Sequence, residues 1–290
     1  MFLLESSLIS GVISGFIYAL AGIALIVIYR VSGYVSFAQG DIAALALYAG
    51  YWLHSGGLPY LLVALGVVVA GAVIGGVVGS LVVVPLERFG ILVAAISTIG
   101  VSVMIQGGEN LLFGADARSF PSAGQATAFS IGPVGVSRAD ALSLVVCVAV
   151  VAALSVAFRR TRAGVAMRAV HGNADAAMVL GLDAKRLKRV SWMVAGGLAG
   201  LCGLFIAPIY ALTPTSVNSI LVFGFAALVI GGFDSLYGAV ISGVLIGFIT
   251  NLTAAYISPN LVTALLFVAL VVILILRPHG LFGRAPVVRV

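Results

Sequence analysis

Residues 58–84 read LPYLLVALGVVVAGAVIGGVVGSLVVV, a stretch with no charged side chain. A bilayer core of roughly 30 Å takes about 20 mostly apolar residues per helical crossing, so this stretch reads as one transmembrane helix. Within it Gly71, Gly75 and Gly79 recur every four residues and line one face. Lipid tails give helices no hydrophobic reason to associate, and close backbone approach at small residues takes over that role. The spacing returns at Gly11 and Gly15, Gly196 and Gly200, and Gly243 and Gly247, in a chain with 36 glycines among 290 residues. A tightly packed, glycine-rich bundle is therefore expected.

Working outward, Leu8–Ile28, Ala139–Phe158, Ser191–Leu212 and Leu261–Leu276 are equally apolar. Ile91–Gln106, Ile220–Phe233 and Ala239–Ile257 are shorter or glycine-rich and carry almost no charge. Ile42–Leu53 reaches spanning length only if Tyr34–Gly40, with its Gln39, also lies in the membrane, which implies a broken or re-entrant helix over residues 34–53. The fold class is thus an all-α polytopic membrane protein, one transmembrane domain over residues 1–290. About nine crossings are expected, eight to ten depending on how residues 34–53 are counted.

An odd number places the termini on opposite sides. With the N-terminus outside and the C-terminus inside, thirteen of the 15 Lys and Arg residues fall in cytoplasmic loops: Arg30, Arg88, the group Arg159, Arg160, Arg162, Arg168, Lys185, Arg186, Lys188 and Arg189, and the tail residues Arg277, Arg284 and Arg289. Only Arg118 and Arg138 remain outside, and the positive-inside rule selects this orientation. An external loop then covers residues 107–138, with Glu109, Asp116, Arg118, Pro121 and Pro133, and a basic cytoplasmic loop covers residues 159–190. Hydrophobic residues make up 62% and charged residues 8%, against roughly 25% charged in soluble domains. The net charge of +6 follows from loop topology, so a nucleic-acid partner is rejected. Cys147 and Cys202 sit inside apolar runs without neighbours at metal-ligand spacing and read as buried thiols. The first run lacks a positive n-region and a cleavage site, so it reads as a retained helix.

The loop 159–190 carries helix punctuation. Asn173 is placed to cap a helix over 174–180, Asp175 lies in its first turn, and Gly181 stands at the C′ position; Asp183 is placed to cap the next helix. Seven helical residues span only about 10 Å and need a surface to dock on. That surface is either a soluble partner or anionic lipid headgroups.

Polar residues within membrane helices are functional hypotheses by default. Gln39 and Asp41 flank the break at Gly40, where exposed helix termini suit a zwitterion. The plainer reading has Asp41 capping a helix that starts at Ile42 and pairing with Arg30 at the cytoplasmic interface. Ser97, Thr98, Ser102 and Gln106 lie on one mid-chain helix and line a translocation path, unless the hydroxyls bond only their own backbone. His54, His171 and His279 read as loop residues and no carboxylate reads as mid-helix, which argues against an ion-coupled carrier. No nucleophile with a base, and no metal cluster, can be assembled, so the chain reads as no enzyme. Its only lysines, Lys185 and Lys188, are not in a P-loop. ATP, if it drives the cycle, binds elsewhere, and no cofactor is expected in this chain.

Four segments carry a resemblance: Tyr29-Arg30-Val31-Ser32-Gly33-Tyr34-Val35-Ser36-Phe37-Ala38-Gln39-Gly40-Asp41; Thr161-Arg162-Ala163-Gly164 with Met167-Arg168-Ala169-Val170, Asn173, Ala176-Ala177 and Leu180-Gly181; Gly231-Gly232-Phe233-Asp234-Ser235-Leu236-Tyr237-Gly238-Ala239; and Arg277-Pro278-His279-Gly280-Leu281-Phe282-Gly283. In this order they resemble the inner-membrane permeases of branched-chain amino-acid ABC importers, the LivH-like branch. The third segment also recurs in related sugar permeases, and Phe233-Asp234 departs from the usual small or polar pair. The resemblance implies a second permease subunit, homologous or identical, two cytoplasmic ATPase subunits and a periplasmic substrate-binding protein. It also implies that residues 159–190 are the ATPase-coupling loop, with Arg162, Gly164, Arg168, Ala169, Asn173, Ala177 and Gly181 in that role. The substrate it implies is a branched-chain amino acid or another small solute, such as an amide or a sugar.

Overall fold

The computed structural model describes residues 2–124, 126–131, 134–172, 174–209 and 211–283. Its helices are α1 (Phe2–Ser32), α2 (Gln39–Ser55), α3 (Tyr60–Val78), α4 (Val84–Leu86), α5 (Ile91–Phe113), α6 (Arg138–Arg160), α7 (Arg162–Gly172), α8 (Ala174–Val179), α9 (Ala184–Ile206), α10 (Asn218–Gly231), α11 (Leu236–Tyr256) and α12 (Val262–Leu276). A π-helical turn over Gly79–Val83 joins α3 to α4, and a 3₁₀ turn over Glu87–Phe89 leads to α5. Each of the apolar runs contains a helix, that of Ser191–Leu212 ending at Ile206, and among the described residues seven helical segments are long and apolar enough to cross a membrane. The count of nine rests on α2 and α10, which at 17 and 14 residues are shorter.

Chain contacts group the helices into two units: residues 1–26, 124–151 and 222–290, and residues 27–123 and 152–221. In the first unit, α1 meets α11 at the expected glycines. A methyl group on Gly15 would stand 2.6 Å from the Val244 Cα, and one on Gly247 would stand 2.1 Å from the Gly11 carbonyl oxygen. Tyr18 stacks on Phe223 at 4.7 Å between ring centres, beside a core of Ala226, Ala227, Ile230, Ile246 and Leu266. The tail folds back on α10: the amides of Leu281 and Phe282 donate to the carbonyls of Ile230 (2.7 Å) and Gly231 (3.2 Å). Those carbonyls have no partner within their own helix. Gly280, at φ +77, lies so close that an added Cβ would be 2.6 Å from the Gly232 nitrogen. The third and fourth resembling segments are therefore two sides of one contact.

In the second unit α3 crosses α9. A Cβ on Gly71 would stand 2.4 Å from the Gly196 carbonyl oxygen, one on Gly75 would stand 2.5 Å from the Trp192 carbonyl oxygen, and one on Gly79 would enter the fully buried Trp192 ring at 2.3 Å. All three glycines of the opening stretch are spent on one neighbour. Helix α2 packs against both α3 and α9, and α5 against α2. Cys147 and Cys202 are buried, as read from the sequence. Apolar side chains on the remaining faces, such as Leu61, Leu92, Val103 and Ile275, are largely exposed, as suits surfaces covered by lipid.

One boundary and the placement of two histidines are corrected. Helix α5 continues to Phe113, so Gly107–Phe113 is helical and the loop expected from residue 107 begins at Gly114. Within it an antiparallel hairpin, β1 (Thr127–Ile131) with β2 (Val134–Ser137), leads into α6. His54 and His171 lie within α2 and α7, not in loops.

Replacing Gly71 or Gly196 by Ala forces backbone apart at the α3–α9 crossing and costs about 1–3 kcal/mol. Gly100, with nothing within 4 Å of an added Cβ, is the control. Detergent thermal-shift curves are expected to fall by several degrees for Gly71→Ala and Gly196→Ala and to hold or rise for Gly100→Ala.

Candidate functional site

Helix α1 stops because Gly33 takes φ +78, a left-handed C′ conformation, with its amide on the Tyr29 carbonyl at 2.8 Å. Residues 33–38 are non-helical yet largely buried, Tyr34 at 4% exposure and Ser36 at 0%. Their amides need partners. Phe37 N–H donates to Thr98 Oγ1 at 3.1 Å, and Ala38 N–H to Ser36 Oγ at 3.3 Å. The Thr98 hydroxyl in turn donates to the Ala95 carbonyl at 2.7 Å, so one buried side chain ties the break to α5.

From Gln39 the chain is continuously helical to Ser55. Gly40 packs so closely on Asn218 that a Cβ would be 2.7 Å from its Oδ1. The helix therefore begins three residues earlier than expected, and Asp41 sits in its first turn instead of capping a start at Ile42. Asp41 also does not make the expected interface pair with Arg30, whose guanidinium lies over the Phe158 ring at 5.3 Å. At 1% exposure Asp41 faces α5 and accepts a hydrogen bond from Gln106 Nε2 at 2.9 Å; the same nitrogen lies 3.4 Å from Ser102 Oγ. Of the six residues expected along the path, Asp41 and Gln106 meet, Ser102 lies beside Gln106 and Thr98 joins the break. Gln39 is buried beside them with both amide atoms unpartnered. Ser97 is half-buried and bonds only the Ala94 carbonyl, at 2.7 Å.

One residue of this site lies where its sequence context does not suggest it. Glu109, expected in an external loop, lies in α5 at 1% exposure with neither carboxylate oxygen hydrogen-bonded. The pair Gly107-Gly108 reads as a helix breaker, but the spacing Gln106, Glu109, Phe113 is a helical face. Beside it the Tyr48 hydroxyl is likewise unpartnered, and the Tyr48 ring stacks on Phe113 at 4.1 Å. Carboxylates therefore do lie inside the helices, and their supposed absence no longer argues against an ion-coupled carrier.

The basic segment 159–190 is built from short-range contacts. Thr161 Oγ1 accepts from the Gly164 amide at 3.1 Å and donates to the Ala157 carbonyl at 2.6 Å, starting α7 directly from the end of α6. A Cβ on Gly164 would stand 2.5 Å from the Ala157 oxygen. The Arg168 guanidinium donates to the Phe158 carbonyl, covering an open carbonyl at the end of α6. Arg162 and Ala169 are exposed. Helix α8 ends one residue earlier than expected and buries Ala177, while Met178, Val179 and Leu180 stand 53%, 88% and 81% exposed. Gly181, at φ +84, takes the C′ position: its amide donates to Met178 O at 2.9 Å, and that of Leu182 to Ala177 O at 3.0 Å. Asn173 lies outside the described residues. Asp183 caps α9 as expected, accepting from the Arg186 amide at 3.0 Å.

Glu87, between α4 and α5, joins these parts. It accepts from the Tyr34 hydroxyl at 2.8 Å and is paired with Lys188 in the first turns of α9. Among the described residues no group of His, Cys, Asp and Glu could hold a metal ion.

Apolar spans enclosing a buried polar ladder define a polytopic membrane transport protein. The sequence matches the family model for the permease component of branched-chain amino acid transport systems over residues 7–276. It is 26% identical to the high-affinity branched-chain amino acid transport system permease protein LivH of Salmonella typhimurium, over 97% of this chain and 96% of that one. With the corresponding permease protein BraD of Pseudomonas aeruginosa it shares 24% identity, over 98% and 97%. A galactose/methyl galactoside import permease protein, MglC of Haemophilus influenzae, is 31% identical over 71% of this chain and 62% of its own length. The chain belongs to the branched-chain amino acid transport permease family. It is a transport permease component and not an enzyme, a multi-pass inner-membrane protein of a transporter complex.

The Glu87–Lys188 contact gives a double-mutant test. The destabilisations of Glu87→Gln and Lys188→Met are expected to sum to more than that of the double variant, with a coupling of about 1–3 kcal/mol in detergent unfolding. Additive effects would remove this link.

Proposed function

We propose that this chain is the membrane subunit of an ABC importer that passes a branched-chain or similarly small apolar amino acid from a periplasmic binding protein to the cytoplasm. Two separate ATPase subunits supply the energy, a second permease copy or homologue completes the pore, and the chain itself carries no cofactor. The N-terminus is outside and the C-terminus inside, which follows from the positive-inside rule. Nine crossings fit this arrangement. Anionic lipid headgroups contact the remaining cations.

The observation that carries this reading is α8. Six residues make a helix too short to be stable alone, yet it is held by the Gly181 turn and the Asp183 cap and presents Met178, Val179 and Leu180 outward. Neighbouring apolar side chains exposed beside a basic segment suit a groove in a soluble protein better than headgroups. Arg162, Gly164, Arg168 and Ala169 lead into it, Ala177 anchors it, and Asn173 completes the coupling set. For the substrate, the support is the names of the near full-length relatives and the aliphatic groove that Glu109 borders. The likeness to a galactoside import permease supports a second reading, a small sugar, by the same route.

Purified alone, the chain is expected to hydrolyse no ATP, whereas co-expressed ATPase subunits should co-purify with it. Gly181→Val, which places a β-branched residue at φ +84, and Met178→Asp should each reduce recovery of the ATPase about tenfold while the permease stays monodisperse. Unchanged recovery and unchanged uptake with both would reject the coupling role.

A further inference from the structure

Glu109 is a carboxylate taken out of water with no protein partner, on a helix at membrane depth. A buried ion without a counter-charge is strongly disfavoured, so this group waits either for a proton or for a cation. Its surroundings discriminate. The apolar part of its side chain borders a groove of about 330 Å³ with aliphatic walls, among them Leu45, Val82, Val101 and Leu112, at the lower end of the size range of small-molecule sites, while its two carboxylate oxygens are covered by the protein. Four further buried polar atoms of α2 lack partners: Asp41 Oδ2, the Tyr48 hydroxyl and both amide atoms of Gln39. Gln106 and Glu109 are three apart on α5, and Asp41, Leu45 and Tyr48 follow one face of α2 at spacings of four and three. The Tyr48–Phe113 stack stands at the outer end of this face. Beyond it Arg118 Nη2 donates to the Phe113 carbonyl at 2.8 Å, with its guanidinium over Tyr51.

We propose that Glu109 binds the primary ammonium group of the transported amino acid, with the aliphatic groove receiving its side chain and Asp41 and Gln106 forming the next station inward. The assignment rests on the amino-acid permease reading above and adds the residue that recognises the substrate. A proton carrier would need only the carboxylate; an ammonium donor with a short apolar side chain also uses the aliphatic walls and the free Tyr48 hydroxyl.

The test uses the full transporter, permease with ATPase and binding protein, in proteoliposomes, with leucine as probe. Glu109→Gln is expected to lower leucine uptake about tenfold or more, the loss expected for one charge-assisted hydrogen bond. ATPase activity stimulated by loaded binding protein should change less than about twofold, and Glu109→Asp should recover part of the uptake. A second measurement is independent of Glu109 variants: in Leu45→Cys, with the native cysteines buried, leucine should slow maleimide labelling while 4-methylpentanoate, the same skeleton without the ammonium, should not. Normal uptake with Glu109→Gln, or equal protection by both compounds, overturns the assignment while leaving the permease reading intact. Leucine uptake that changes tenfold with an imposed proton gradient at fixed ATP gives Glu109 to the proton and overturns it too. No uptake of leucine by the unaltered complex removes the amino-acid reading and this inference together.

Discussion

Backbone touching backbone, at positions where any side chain would intervene, is the constraint on which the rest depends. At the α3–α9 crossing the Gly71, Gly75 and Gly196 main chains approach so closely that an added methyl carbon would stand 2.2 to 3.0 Å from the facing helix. In lipid there is no gain from hiding apolar surface between helices, so the packing contacts themselves hold the pair. Individually these contacts are small, but they accumulate over every turn of a long crossing. Gly79 extends the contact to Trp192, one turn from the Lys188 that pairs with Glu87. The same device recurs between α1 and α11.

Polar groups are placed where this frame leaves them shielded. The break at residues 33–38 would be intolerable in hydrocarbon without internal partners, and Thr98 and Ser36 supply them. From α8 the contacts run through the Asp183 cap to Lys188, then to Glu87 and Tyr34, and so to the start of α2 where Asp41 meets Gln106. Each step is a hydrogen bond, an ion pair or a turn, except the last, from Tyr34 to Gln39, which is the chain of the break itself. The segment with exposed apolar residues and the buried ladder are thus physically contiguous within one unit of the fold.

Much of this was legible in the residues. Apolar runs of bilayer length gave the helices, four-residue glycine spacings gave the crossing faces, and Gly181 and Asp183 announced a helix end and a helix start. What was not legible depends on distant contacts or on competing local signals. Glu109 was hidden because Gly107-Gly108 looks like a terminus, although tertiary packing carries the helix through it. Asp41 looked like a cap because Gly40 reads as a break; the close fit of Gly40 against Asn218 lets the helix start earlier. The roles of Thr161 and Arg168 as caps between α6 and α7, and of the 280–283 tail as a cap on α10, exist only once the chain has folded back on itself.

The most direct test is cysteine cross-linking at the α3–α9 crossing. A Cβ at Gly197 would stand 3.5 Å from the Ala72 Cβ, inside the range of a disulfide. With Ala72→Cys and Gly197→Cys combined in native membranes, mild oxidation should join the two positions nearly completely, whereas Leu61→Cys paired with Gly197→Cys should stay free. Failure of the first pair to cross-link, with both thiols reactive, would contradict the glycine crossing and everything positioned by it.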